Sequence, residues 1–183
     1  MEWINVVKST GVFRKIDDLG RIVIPKEIRK TMGIRDGENL EIIIDDDDIK
    51  LRKHSLVNNY QGFINDLVNS TNNITDLDII VTDRDKVIAC AGSNIKNEFL
   101  NKQLDNNLKA IIDERQNKVS KELDKYFFEN KELIGYYMIF PVISDGNSLG
   151  LVILYSKNQI DTNYLVVAKL LSSLIANKVD ISC

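Results

Sequence analysis

Lys8, Arg14, Lys15, Arg21, Lys26, Arg29 and Lys30 fall between Lys8 and Ile34, seven basic residues against Asp17, Asp18 and Glu27, a local charge of +4. Cations at this density neutralise phosphate oxygens and release counterions, and arginine can also read guanine edges or a narrow minor groove. The whole chain, by contrast, carries a net charge of −3 over 183 residues. Nucleic-acid binding through global positive charge is therefore excluded, and any such chemistry belongs to this segment.

The elements that must position these cations follow from the pattern around them. Gly11 to Ile16 reads as a short strand, Asp17-Asp18-Leu19-Gly20 as a tight turn, and Arg21 to Ile24 as a second strand rich in β-branched residues. Pro25, lacking an N–H, suits the first turn of a helix over KEIRKTM, with Ile28 and Met32 on its buried side and Gly33 as a left-handed stop. Leu40, Ile42 and Ile44 form a strand whose hairpin partner is Ile49 to Arg52. The four aspartates between them, Asp45 to Asp48, lack the alternating ligands, central glycine and distal glutamate of a calcium loop and read as a solvated turn. A unit of about 45 residues buries its core poorly alone. Two copies sharing one hydrophobic centre about a two-fold axis would present two matched basic faces to two half-sites of a duplex.

The stretch KSTGVFRKIDDLGRIVIPKEIRKTMGIRDGENLEI closely resembles the N-terminal domain of the AbrB-like transition-state regulators of spore-forming bacteria, from Lys8 to about Lys53. Its LGR-IVIP-KEIRK core fixes glycine, proline and arginines in one order and spacing. The resemblance implies a swapped-hairpin β dimer with a short helix that binds double-stranded DNA through Arg14, Arg21, Arg29 and Lys30, with Lys8 and Lys15 as auxiliaries. Lys30 stands where relatives commonly have arginine; it keeps the charge and loses the bidentate fork. Residues 1–7, with Trp3, precede the pattern and are read as a tail.

Residues 54–183 read as a second domain. Leu56, Tyr60, Phe63, Ile64, Leu67 and Val68 recur at helical spacing in a linker helix over 56–72. DIIVTD and KVIACAG are strand-like, segments around Asn97–Leu100 and Leu104–Arg115 are helical, Ile134–Ser144 and Leu149–Ser156 flank the turn Asp145-Gly146-Asn147, and Thr162–Val179 closes the chain as an amphipathic helix. The expected class is α+β in two domains, 1–53 and 54–183, the second an α/β sandwich around an antiparallel sheet. With PVISDGNSLGLVILYSK at its end this order looks like a GAF sensor domain, and both units together resemble the stage V sporulation protein T regulators. That resemblance implies a late, forespore-type sporulation regulator, activator or repressor by promoter, assembled as a tetramer of N-terminal dimers joined through the C-terminal domains.

The GAF resemblance also implies a small-molecule effector between sheet and helices, which no residue identifies; no cofactor is expected otherwise. Cys90 and Cys183 are read as reduced thiols and the single histidine, His54, as a surface residue without a metal cluster. No catalytic carboxylate pair or activated nucleophile is assembled, so a binding module is expected rather than an enzyme. Without an apolar run of membrane length or a secretory signal the expected location is the cytoplasm. The rival reading is an antitoxin-like autoregulator whose C-terminal part neutralises a toxin; a metabolite sensor with secondary DNA binding is a third.

Overall fold

A computed structural model describes residues 11–38, 40–95 and 97–180, and the chain divides at His54–Ser55 into two compact units. Trp3, Lys8 and Cys183 lie outside the described residues.

In the first unit, α1 (Lys26–Met32) starts after Pro25 and stops at Gly33, whose φ of 64° lets its N–H and that of Ile34 return to the carbonyls of Lys30 and Arg29. The strands β1 (Leu40–Asp45) and β2 (Asp48–Lys53) pair antiparallel in strict register, Ile42 opposite Leu51 and Ile44 opposite Ile49. Residues 11–16 and 21–24, expected as strands, carry no regular secondary structure. A strand needs a neighbour's N–H and C=O groups. None of the described strands lies beside them. Their turn is nevertheless closed, with Asp17 N donating to Arg21 O at 3.1 Å and Gly20 N to Asp17 O at 2.9 Å. Met32, expected on a buried helix face, is 48% exposed, and α1 buries no residue.

The second unit is a six-stranded antiparallel sheet with helices on both faces. Its strands are β3 (Asp78–Thr82), β4 (Val87–Ala91), β5 (Lys118–Val119), β6 (Asp124–Phe128), β7 (Lys131–Ser144) and β8 (Asn147–Ser156), in the order β4-β3-β8-β7-β5 with β6 also on β7. β3 is buried throughout because β4 and β8 flank it. Alternation then sorts side chains between two cores. Ile79, Val81, Met138, Phe140, Val152 and Leu154 face α2 (Gln61–Thr75) and α4 (Leu165–Asp180). Ile80, Tyr137, Ile139, Leu151, Ile153 and Tyr155 face α3 (Asn106–Glu114).

The expected helix from Leu56 is a 3-10 turn over Val57–Tyr60 followed by α2, and the last helix likewise opens with a 3-10 turn over Thr162–Tyr164. β5 and β6 were not expected. The β7–β8 turn holds Asp145 and Gly146 at φ of 48° and 72°, the left-handed pair that a two-residue hairpin needs. Among the described residues no helix is long and apolar enough to cross a membrane.

Gly150 sits where β8 crosses Thr82 so closely that a Cβ would overlap the Thr82 carbonyl and stand 2.9 Å from Asp83 Cα. Both obstacles are main chain and cannot swing aside. Gly150→Ala is therefore expected to destabilise the second unit by about 3 kcal/mol, lowering its thermal midpoint by about 10 °C. Gly62→Ala, in α2 with nothing within 4 Å of the added carbon, should be neutral or stabilising. Equal midpoints for the two variants would refute the steric account.

Candidate nucleic-acid interface

The turn at Asp17 is built by one carboxylate. Asp17 Oδ1 accepts from Leu19 N at 3.0 Å and Arg21 N at 2.8 Å, while Oδ2 accepts from Arg21 Nε at 2.8 Å. These bonds hold the Asp17 carboxyl below its usual pKa, first through the Arg21 backbone N–H and then through the guanidinium. Arg21 is thereby fixed by Nε, with its two terminal amines making no hydrogen bond among the described residues. Arg14 and Lys15 stand exposed on the other arm of the same turn, Arg14 Nη1 donating to Phe13 O at 2.9 Å. The structure thus brings Arg14, Lys15 and Arg21 to the two arms of one closed turn.

Arg29 and Lys30 lie on α1 instead. Lys30 is exposed, whereas Arg29 is half-buried and its Nη1 pairs with the exposed Asp36 carboxylate. Arg29 Nε is buried without a hydrogen-bond partner among the described residues. This guanidinium is less available than spacing suggested, since a competing anion would have to displace Asp36. The end of α1 is tied to β2 by Lys53, whose Nζ donates to Gly33 O at 3.2 Å and pairs with Glu38 at 3.2 Å. His54 is half-buried, with Nδ1 3.8 Å from Glu41, a carboxylate that Arg52 holds below its usual pKa.

Two residues that spacing did not single out therefore shape the site. Asp17 orients Arg21, a role signalled by aspartate opening a turn with glycine at its fourth position. Asp36 occupies Arg29, which no local pattern announces. The aspartate run is a two-residue turn in which Asp46 is left-handed and Asp45 pairs with Lys50.

Around this site the apolar side chains are bare. Phe13 is 90% exposed, Ile44 80% and Val23 73%, and Ile16, Leu19, Ile22, Ile42 and Ile49 are exposed as well. A monomer rarely leaves so much apolar surface in water.

Residues 59–179 match the model for "Stage V sporulation protein T C-terminal, transcription factor", and residues 13–57 that for "Antidote-toxin recognition MazE, bacterial antitoxin". Stage V sporulation protein T of Bacillus subtilis (strain 168) is 35% identical over 156 residues, covering 84% of this chain and 87% of the relative. The chain belongs to the stage V sporulation protein T family. Transition state regulatory protein AbrB of Bacillus subtilis (strain 168) is 54% identical over 48 residues, 26% of this chain and 50% of the relative. This member of the family thus joins an AbrB-like first unit to a transcription-factor second unit.

Among solved structures, the blue-light absorbing form of the Thermosynechococcus elongatus PixJ GAF domain superposes with a TM-score of 0.52 at 13% identity, over 70% of this chain and 89% of that one. The type II free methionine-R-sulfoxide reductase from Thermoplasma acidophilum gives 0.50 at 11%, over 68% and 94%. They show the GAF fold of the second unit in this family member.

Proposed function

We propose that this protein is a cytoplasmic, DNA-binding regulator of late, forespore-type sporulation genes, activating or repressing according to the promoter. Residues 1–53 form the DNA-binding and dimerisation domain and residues 54–183 the GAF-like sensing and assembly domain. The observation that carries this reading is the coincidence, on one small unit of a stage V sporulation protein T relative, of exposed Arg14, Lys15, Arg21 and Lys30 with a bare apolar surface. Interleaving with a second copy gives residues 11–16 and 21–24 the strand neighbours they lack and covers Phe13, Val23 and Ile44. The same operation doubles the cation array for two half-sites.

Dimers pair into a tetramer through the second units. Val166, Leu170 and Leu174 are exposed at four-residue spacing along α4, and Phe63 of α2 is exposed as well. Such a stripe is the seam of a helical interface. The second unit acts by binding and assembly rather than catalysis. The antitoxin match covers only 13–57, and residues 55–180 are a folded sheet-and-helix unit rather than an extended toxin-wrapping tail, which favours the regulator reading.

The test is competitive titration of the full chain on sporulation promoter fragments against random duplex, with the assembly state read by sedimentation. Binding at least about 1000-fold tighter to a subset of promoters is expected. Equal affinity for every duplex would sink the reading.

A further inference from the structure

The GAF resemblance implied an effector between sheet and helices, and the space between α3 and the sheet is packed with side chains. Tyr126, Tyr137 and Tyr155 are almost wholly buried, with ring centroids 4.9 Å and 5.2 Å apart in succession, and Phe99 meets Phe128 edge-on at 5.5 Å. Tyr155 Oη donates to Ile134 O at 2.8 Å, and Tyr137 Oη donates to Leu133 O.

An open groove of about 320 Å³ lies elsewhere in the second unit, between α4 and the outer edge of β7. β5 pairs with β7 only at Met138 and Ile139, so Phe140 to Ser144 have no strand on that edge among the described residues. Pro141 and Ile143 line the groove there. Its polar lining is Arg115, Asn117, Lys169, Ser172, Ser173 and Asn177: two cations, two amides, two hydroxyls and no carboxylate, with the Ser172 hydroxyl already donating to Pro141 O at 2.9 Å. Residues 55–183 as a whole hold 13 Lys and Arg against 16 Asp and Glu, a net −3. Several cations of this unit are ion-paired, Arg84 to Asp113, Lys102 to Glu129 and Lys118 to Asp124 among them. Arg115 and Lys169 have no carboxylate within ion-pair distance among the described residues. Arg115 moreover ends α3 with φ of 57°, a left-handed position where glycine or asparagine is the ordinary choice.

We propose that this groove is an anion-binding effector site, taking a small molecule that carries phosphate or carboxylate groups. Two unpaired cations supply the attraction, amide and hydroxyl groups fix orientation, and the volume suits a small metabolite. Lys169, Ser173 and Asn177 follow one row of α4, and Val166, Leu170 and Leu174 the adjacent row. The proposal deepens the reading of the second unit as a sensor and rests on it for its regulatory meaning, not for the binding itself.

The test uses the full chain in wild-type, Arg115→Ala/Lys169→Ala and Lys121→Ala forms, Lys121 being a cation outside the groove. Thermal midpoints are followed against inorganic phosphate and, separately, citrate, with sodium chloride at matched ionic strength. Non-specific salting effects and phosphate on the N-terminal arginines act alike on all three proteins. Wild-type and Lys121→Ala are expected to show a saturable rise with one of the two anions, and the double variant an apparent affinity at least tenfold weaker. The responding anion tells phosphate from carboxylate. Equal responses in all three proteins, or no rise beyond chloride, overturn the site. Promoter affinity is measured in parallel: loss of promoter preference with the anion difference intact sinks the regulator reading alone.

Discussion

Arg21→Ala in the full chain is expected to weaken promoter binding about 100-fold and to make the dependence of log affinity on log salt shallower by about 2. Arg21 is exposed, so its removal leaves no cavity, and Asp17 still accepts the main-chain N–H groups that hold the turn. What disappears is a guanidinium pre-oriented through Nε, once in each subunit of a dimer. Each such contact is worth about 1–3 kcal/mol, and the two-fold axis doubles the loss. Lys125→Ala, on the second unit, should leave both affinity and slope unchanged. Arg21→Ala with wild-type affinity and salt slope would remove this turn from the interface. Arg29→Ala should cost less, because Asp36 already occupies that guanidinium.

Ile44→Asp is expected to abolish assembly through the first unit and DNA binding with it. Ile42, Ile44, Ile49 and Leu51 form the apolar face of a two-stranded ribbon and all are exposed. A lone hairpin is marginal in water, so this face must be covered for the unit to persist. Covering one isoleucine contributes about 1.5–3 kcal/mol, and a carboxylate in its place costs more because it is buried without a partner. With one substitution per subunit the dimer should weaken by at least about 4 kcal/mol, on the order of 1000-fold. Sedimentation and promoter titration would follow the loss, with the second unit's thermal transition as the control for folding. Asp47→Asn, in the adjoining turn, should change neither. A variant Ile44→Asp that assembles like wild-type would mean that some other surface holds the copies together.

Much of the second unit was legible because its strands are long enough to show period two. β7 and β8 divide Met138, Phe140, Val152 and Leu154 from Tyr137, Ile139, Leu151 and Ile153, and Asp145-Gly146 marks the turn between them. β6 escapes the sequence pattern although Tyr126 and Phe128 alternate with Lys125 and Phe127, since five residues opening with aspartate and lysine give too few repeats to stand out. β5 has two residues and exists only through β7.

In the first unit the apolar pattern at Gly11–Ile24 was read as strands, and it describes faces that the single chain does not pair. Pattern reports which side of a segment avoids water and is silent on whose atoms cover it. The cations were legible by type and order. Their availability was not, because Asp17 seizing Arg21 and Asp36 occupying Arg29 depend on side-chain reach after folding.

The pairing of β3 with β8 joins residues 78–82 to residues 151–155 at the centre of the sheet. A ribosome delivers β3 long before β8, so the second unit cannot close until nearly all of the chain has been made, while β1, β2 and α1 are complete early. If first units pair as proposed, they are free to do so during synthesis, before their own C-terminal halves exist. A premature stop anywhere ahead of β8 deletes the middle of the sheet rather than its margin. A stop between residue 54 and β8 would leave the basic first unit whole and deny the second its fold.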